Sequence, residues 1–288
     1  MTTWTSLYII GFIAATFLME ESECSVTNRD SLTGGVKTYL EPGGVYWCSA
    51  GSGVVHEQIP TVNGKSCIGL QVFIDLPAEH KLSEPSVQLV PPENVPRYQT
   101  NTGANTRILA GTGSAINSLV DINVLEVSIP FGSTFQSTLP LSHSSVLIHM
   151  LSGSAAVGDA EQILHSTDTA SISLTPSSTL IIRNAYDTAK NETDKQDSAG
   201  EQLTSTEAKE EKKESEEENE VKKDQKIEEK REAVKLILFT GSPLSQTAVW
   251  GGPFLMLNEE QVKDRRRCYE AGEMGTLSPS DVKWPQKR

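Results

Sequence analysis

Two side chains in the first third of the chain, His56 and Gln58, have the types and the spacing to share a binding site. They lie in the run VVHEQIP, whose β-branched and apolar residues predict a strand over residues 54–59. Because side chains two apart on a strand point to the same face, His56 and Gln58 project together, while Glu57 faces the opposite side. The strand therefore presents an imidazole and an amide side by side to whatever this face lines.

The elements that would position this pair form a tight series of strands and turns. Pro42-Gly43-Gly44 predicts a sharp reversal, since proline presets φ and glycine accepts a positive φ. The aromatic and β-branched run 45–49 then predicts a strand, and the glycines of 50–53 predict a bend into the strand that carries His56. We therefore expect two neighbouring strands joined by a short connection.

This stretch resembles the pirin family, whose members consist of two cupin barrels. The resemblance covers almost the whole chain except the charged segment around 190–232. It rests on three blocks in the family's order: PGGVYWCSAGSGVVHEQIP, then GLQVFIDLP followed by KLSEP, and finally WGGPFLMLNEEQVKDRRRCYEAGEMG. It implies an all-β fold of two jelly-roll barrels, the first incomplete, with a short C-terminal helix.

The resemblance also implies an iron site in the first barrel. In pirins, Fe²⁺ is held by a His-x-His pair that precedes a Gly-Phe dipeptide and by a His-x-Glu pair. Here His56 matches the family's histidine, and Gln58 stands at the glutamate position. Leu7 and Ile9 stand where the two histidines should precede Gly11-Phe12. Because mononuclear iron needs several converging imidazole or carboxylate donors, we expect a degenerate site that does not hold the metal tightly.

We therefore predict the function from the family resemblance, but without any activity that requires a tightly bound metal. The resemblance implies an iron-binding nuclear protein that acts as a transcription cofactor, and some pirins open the flavonol ring of quercetin with dioxygen. We expect a non-enzymatic interaction protein, nuclear or cytoplasmic, whose partners are transcriptional regulators. The alternative is an iron-dependent quercetin 2,3-dioxygenase-like oxygenase, if upstream sequence supplies the missing ligands. A storage-type cupin is a third alternative.

Composition is consistent with this fold and excludes several classes of function. The chain has 288 residues, enough for two domains, with 6% aromatic residues and many small and β-branched residues that suit short strands and turns. Its formal net charge of −13 leaves no basic face for phosphates, which argues against direct nucleic-acid binding. The four cysteines form no C-x-x-C or zinc pattern and fit a reduced, intracellular protein.

The apolar run over residues 7–19 invites two other interpretations. It is too short to span a membrane alone, so no membrane association is expected. A secretory signal is the alternative to a barrel strand, but residues 1–6 contain no lysine or arginine. The family alignment makes residues 11–18 a barrel strand. Pirins usually carry several dozen residues before this point, so we expect a truncated chain.

The remaining sequence predicts the domain organisation. Residues 1–110 are predicted to form the N-terminal cupin domain and residues 111–288 the C-terminal one. The second domain carries a charged insertion at about 188–232, which is predicted to be disordered because it has so few apolar residues. The strand-like run 233–240 follows it. The proline-rich segment 81–97 is predicted to be an extended crossing between the domains.

Near the C-terminus, Asn258 is predicted to cap a helix from Glu259 to about Glu270, which Ala271-Gly272 ends. Its first turn is acidic and its second half is basic, as the helix dipole favours. Two other histidines lie in distinct settings. His143 follows a proline-containing turn, and His149 lies in an apolar strand and is predicted to be buried with one hydrogen-bond partner.

Overall fold

The structure is a computed structural model that describes residues 7–175, 177–185 and 233–278, so the insertion predicted at about 188–232 lies outside the described residues. Strands dominate, and the all-β prediction is confirmed. The described residues form one α-helix, α1 (Glu259–Glu270), and two short 3-10 helices, Ala78–His80 and Pro92–Asn94.

Twenty strands are present in the described residues, and their bounds in chain order are as follows: β1 (Leu7–Ile9), β2 (Phe12–Leu18), β3 (Val26–Asp30), β4 (Thr38–Leu40), β5 (Val45–Ser49), β6 (Val54–Pro60), β7 (Gly69–Asp75), β8 (Ser86–Val90), β9 (Arg97–Gln99), β10 (Asn105–Ala110), β11 (Ile122–Ile129), β12 (Thr134–Thr138), β13 (Ser145–Ser152), β14 (Ser154–Val157), β15 (Gln162–His165), β16 (Thr169–Ser173), β17 (Thr179–Asn184), β18 (Val234–Gly241), β19 (Val249–Trp250) and β20 (Leu255–Met256).

Contacts group the chain into two compact units. The first comprises residues up to 96, residues 109–121 and residues from 243 onward, and the second comprises residues 97–108 and 122–242. Each unit therefore draws on separate stretches of sequence. The single domain boundary after residue 110 stays a prediction.

The first unit is built on two antiparallel sheets of four strands, in the orders β1-β6-β3-β4 and β7-β2-β5-β8. All seven residues of β2 are buried, because β5 and β7 flank it within its sheet and both of its faces are covered. This explains why six of the seven residues of β2 are apolar. The predicted barrel strand over residues 11–18 is confirmed, and the expectation that the first barrel is incomplete stays a prediction.

The second unit also has two sheets, in the orders β16-β13-β18-β11-β10-β9 and β12-β17-β14-β15. The strand predicted at 233–240 is confirmed as β18, which pairs antiparallel with β11 on one side and with β13 on the other. Buried side chains from both sheets form one core, which includes Val127, Phe135, Ile148, Ile182 and Leu236.

The predicted C-terminal helix is confirmed at both ends. The Asn258 side chain accepts a hydrogen bond from the Gln261 amide at 2.9 Å, and the Gln261 side chain accepts one from the Leu257 amide at 3.0 Å. These reciprocal bonds satisfy amide groups that a helix start leaves without partners. The helix ends at Glu270, Ala271 is its C-cap, and Gly272 follows with a φ of 77°.

The segment 81–97, predicted to be an extended crossing, contains an extended strand, and the chain passes from the first unit to the second after residue 96. Ser86–Val90 forms strand β8, which pairs with β5 from Ser86↔Ser49 to Val90↔Val45. Prolines flank this strand, and the local sequence does not reveal that the edge of β5 is available to it. No helix in the described ranges has the length and apolar character that a bilayer crossing needs.

Candidate functional site

Strand β6 places His56 and Gln58 in the interior of the first unit. Its neighbour β3 sets Asp30 opposite His56 and Asn28 opposite Gln58. Both His56 and Gln58 are buried, and both meet side chains from the facing sheet, so the predicted common face is confirmed. On the other side of β6, strand β1 sets Leu7 opposite His56.

Gln58 is fixed by a network of polar side chains. Its Oε1 accepts hydrogen bonds from Thr16 Oγ1 at 2.9 Å and from Gln71 Nε2 at 3.0 Å. Its Nε2 donates to Asn28 Oδ1 at 2.7 Å. The amide oxygen therefore has its two lone pairs committed to donors within the protein.

A small cavity lies against this network. Its volume is about 50 Å³, and its lining residues are Thr16, Leu18, Val26, Gln58, Pro60, Cys67, Gly69 and Gln71. Sites for drug-sized ligands usually measure roughly 300–1,000 Å³. A cavity of this size has room for a few water molecules but not for a flavonol.

His56 is buried without a hydrogen-bond partner on either ring nitrogen among the described residues. Its ring lies nearly parallel to that of Tyr46, with 6.4 Å between the centroids and 9° between the planes. Burial lowers the pKa of His56 to about 4, although the nearby Asp30 carboxylate opposes this shift. The imidazole is therefore neutral at neutral pH.

Two further titratable groups, Tyr46 and Cys48, lie two apart on β5 and share the electrostatic environment of His56. Burial raises the pKa of the Tyr46 phenol and of the Cys48 thiol, and the charge of Asp30 adds to both shifts. Both groups stay protonated at neutral pH. A protonated thiol is a poor nucleophile, so this side of the interior is not arranged for nucleophilic chemistry.

Glu57 faces away from the interior, as the alternation of β6 predicts. Its carboxylate forms a buried ion pair with Arg29 Nη1 at 3.0 Å. The same guanidinium donates through Nη2 to the Ser278 carbonyl at 2.9 Å. Glu57 is therefore paired with Arg29 on the opposite face of β6. It does not replace the glutamate ligand that the resemblance places at position 58.

The residues present do not fit the iron site that the resemblance implies. In the part of the chain that the structure describes, no group of three or more histidine, cysteine, aspartate or glutamate side chains is placed to hold a metal ion. Ile9 is buried in the apolar core of the first unit. One imidazole and an amide that is already hydrogen-bonded to three neighbours are a poor substitute for a two-histidine, one-carboxylate set.

Sequence reasoning missed most of the polar residues around the candidate pair. Asn28 and Asp30 come from β3, a short polar strand that carries no alternating apolar signal. Thr16 lies within the apolar run of β2. The available signal was the spacing of two in Asn28–Asp30 and Tyr46–Cys48, which places each pair on one face of its strand.

The chain is similar in sequence to several known proteins. It is 23% identical over 271 residues to a candidate quercetin 2,3-dioxygenase of Pseudomonas aeruginosa, covering 91% of this chain and 76% of the relative. It is 28% identical over 158 residues to a pirin-like protein of Arabidopsis thaliana, covering 52% of this chain and 49% of that protein. The chain is a relative of the pirins. No family model matches this pirin relative.

A solved structure supports the fold of this pirin relative. The crystal structure of a quercetin 2,3-dioxygenase from Acinetobacter baumannii superposes with a TM-score of 0.71 at 19% sequence identity, covering 95% of this chain and 80% of the other. The cupin-type fold is thereby confirmed. At this identity the likeness concerns the fold alone.

Proposed function

We propose that this pirin relative is a cupin-fold interaction protein that works without iron in its first barrel. The resemblance to the pirins implies a metal cofactor, but the side chains of this interior do not suit one. The observation that carries the proposal is Gln58. It stands where the resemblance places a glutamate ligand, and its oxygen is hydrogen-bonded to Thr16 and Gln71.

The partners that we propose are proteins, specifically transcriptional regulators, and the compartment is the nucleus or the cytoplasm. The support is the resemblance to the pirins together with the charge of the chain. A formal net charge of −13 repels the phosphate backbone, so contact with a nucleic acid would run through a protein partner.

An iron-dependent quercetin 2,3-dioxygenase-like activity is the second candidate, favoured by the relative from Pseudomonas aeruginosa. The cavity of about 50 Å³ beside Gln58 argues against it, because a flavonol would have to displace side chains that hold the two sheets together. His56 would also need partner ligands that Leu7 and Ile9 do not supply.

Metal analysis with a matched restoring variant tests the proposal. After anaerobic loading with ferrous iron and desalting, we expect the wild-type chain to retain far less than one iron per chain. The variant Leu7→His/Ile9→His/Gln58→Glu restores the two-histidine and carboxylate donors next to His56. We expect this variant to approach one iron per chain, and the further change His56→Ala to lower that occupancy.

Oxygen uptake with quercetin and added ferrous iron provides the functional readout. We expect the wild-type chain to match a blank that contains iron without protein. Retention of about one iron per wild-type chain, with oxygen uptake that His56→Ala abolishes, would contradict the proposal and favour the oxygenase.

A further inference from the structure

Two cysteines that are distant in sequence meet beside the Gln58 cavity. Cys24 lies in the connection between β2 and β3 and is buried, whereas Cys67 lies in the connection between β6 and β7 and is exposed. Cys24 Sγ lies 3.8 Å from the carbonyl oxygen of Ser66, the residue that precedes Cys67. The buried thiol is thus in contact with the backbone of the segment that carries the exposed thiol.

Hydrogen bonds hold the two connections together around this contact. The Glu23 amide donates to the Ser66 carbonyl at 2.8 Å, and the Ser66 amide donates back to the Glu23 carboxylate at 2.8 Å. The Ile68 amide donates to Ser22 Oγ at 3.2 Å. The segments that carry the thiols are therefore adjacent in the folded chain and need no large movement to bring the sulfurs together.

The contact is also open to a small oxidant from one side. Cys67 is exposed and lines the cavity whose inner wall includes Gln58 and Gln71. Cys24 is shielded from solvent behind it. An exposed thiol that can react with the oxidant first, backed by a second thiol that can attack the resulting sulfenic acid, matches the arrangement of a reactive cysteine and its resolving cysteine.

We propose that Cys24 and Cys67 form a reversible disulfide when the protein meets hydrogen peroxide. In the first step, the Cys67 thiolate attacks one peroxide oxygen; the O–O bond breaks, and the products are Cys67 sulfenic acid and water. In the second step, the Cys24 sulfur attacks the Cys67 sulfur, the S–O bond breaks, and a second water leaves. Two thiols and one peroxide thus give one disulfide and two waters, and a dithiol reductant reverses the change.

The environment of Cys67 determines how the rate depends on pH. Partial burial raises the pKa of the Cys67 thiol, and the neighbouring Cys24 raises it further. Since the thiolate is the reacting form, oxidation is slow at neutral pH and becomes faster as the pH rises toward the raised pKa.

Peptide mapping of the intact, folded chain tests the proposal. The wild-type protein is treated with hydrogen peroxide at neutral and alkaline pH, blocked with a maleimide, digested without reductant and analysed by mass spectrometry. We expect a peptide pair that joins Cys24 to Cys67, with a yield that rises with pH and disappears after dithiothreitol. A different pairing, or Cys67 sulfinic acid with Cys24 still a free thiol, would overturn the proposal.

Single cysteine variants make the result specific. Cys67→Ser changes an exposed residue and should abolish the disulfide, while Cys24 stays unoxidised. Cys24→Ser and Cys24→Ala should both leave Cys67 to progress to sulfinic acid. Cys268→Ser is the matched control and should leave the yield of the disulfide unchanged. If Cys67→Ser forms as much intramolecular disulfide as the wild type, the assignment is wrong, whatever the metal analysis of the first barrel gives.

Discussion

His56 combines two properties that oppose folding, since it is polar and it has no hydrogen-bond partner in the described interior. Leaving a buried polar group unsatisfied costs about 1–3 kcal/mol. The barrel tolerates this cost by keeping the imidazole neutral and placing it parallel to the Tyr46 ring. At the scale of the residue, His56 therefore stands at the position of a metal ligand, but no set of further donor side chains surrounds it among the described residues.

The pH dependence of stability follows from this burial. The pKa of His56 is about 4 in the folded chain, against 6.5 for an unperturbed histidine. Between these values the unfolded chain takes up a proton and the folded chain does not. The stabilising contribution is thus complete above pH 6.5 and is lost as the pH falls to 4, by at most about 3 kcal/mol.

Urea unfolding between pH 4 and pH 8 measures this contribution by difference. Carboxylates also titrate in this range, so the wild-type chain is compared with His56→Gln at each pH. We expect the wild type to lose stability relative to His56→Gln as the pH is lowered from 6.5 toward 4. Parallel stability curves over this range would show that His56 is already protonated or solvated in the folded chain.

Some of the candidate site could be predicted residue by residue, and some could not. The common face of His56 and Gln58 followed from the period of a strand, which is local. The positions of Asp30 and Tyr46 depend on which strands pair or face each other, and no local sequence pattern determines that.

The prediction for His149 was right about its hydrogen bond and wrong about its burial. Its Nδ1 lies 2.8 Å from Thr169 Oγ1, but the residue is only half-buried. His143 is the buried histidine of the second unit, with Thr240 at 2.8 Å.

At the scale of the element, α1 offers a direct measurement of capping. The Asn258 side chain satisfies the Gln261 amide at the start of the helix. Replacing it by alanine removes that bond, so Asn258→Ala should destabilise the first unit by about 1 kcal/mol. Asn258→Ser keeps a side-chain acceptor and serves as the control. Urea unfolding of both variants gives the difference, and equal stability of the two would show that the cap contributes nothing.

The elements that the sequence predicted best are those with strong local signals. β2, β5, β6, β18 and α1 have apolar runs, turn residues at their ends or a capping residue, and each was placed within one or two residues. β3 has the polar sequence VTNRD, and β8 lies between prolines. Both owe their strand conformation to pairing with β6 and β5, so their existence could not be predicted from local sequence.

At the scale of the whole molecule, Lys81 joins parts of the first unit that are distant in sequence. Its buried ammonium donates to the Gly11 carbonyl at 2.9 Å and to the Leu255 carbonyl at 2.8 Å, and it forms an ion pair with Asp75. Asp75 in turn accepts a hydrogen bond from the Gln246 side chain at 2.8 Å. One cation therefore connects the start of β2, the end of β7 and β20.

Removing this cation should destabilise the first unit strongly. Lys81→Met leaves two buried carbonyls without this donor and the Asp75 carboxylate without its cation, so we expect a loss of about 3–5 kcal/mol. Lys65→Met is the matched control, because the ion pair of Lys65 with Glu23 is exposed and should contribute less than about 1 kcal/mol.

Hydrogen exchange read by mass spectrometry locates this loss. We expect faster exchange in β2, β7 and β20 of Lys81→Met, with β13 and β18 of the second unit as the internal reference. Similar exchange in Lys81→Met and Lys65→Met would contradict the role of Lys81.

The interleaving of the two units has a consequence for the order of events on the ribosome. The last strand of the second unit, β18, ends at Gly241, whereas the first unit draws on residues from 243 onward, including Leu255. Translation therefore delivers every strand of the second unit before the first unit has all of its own. Both four-stranded sheets of the first unit are synthesised by residue 90, and only β19, β20 and α1 follow the second unit. The carboxyl-terminal contacts of the first unit, which include the packing of Leu255 in its core, therefore form last.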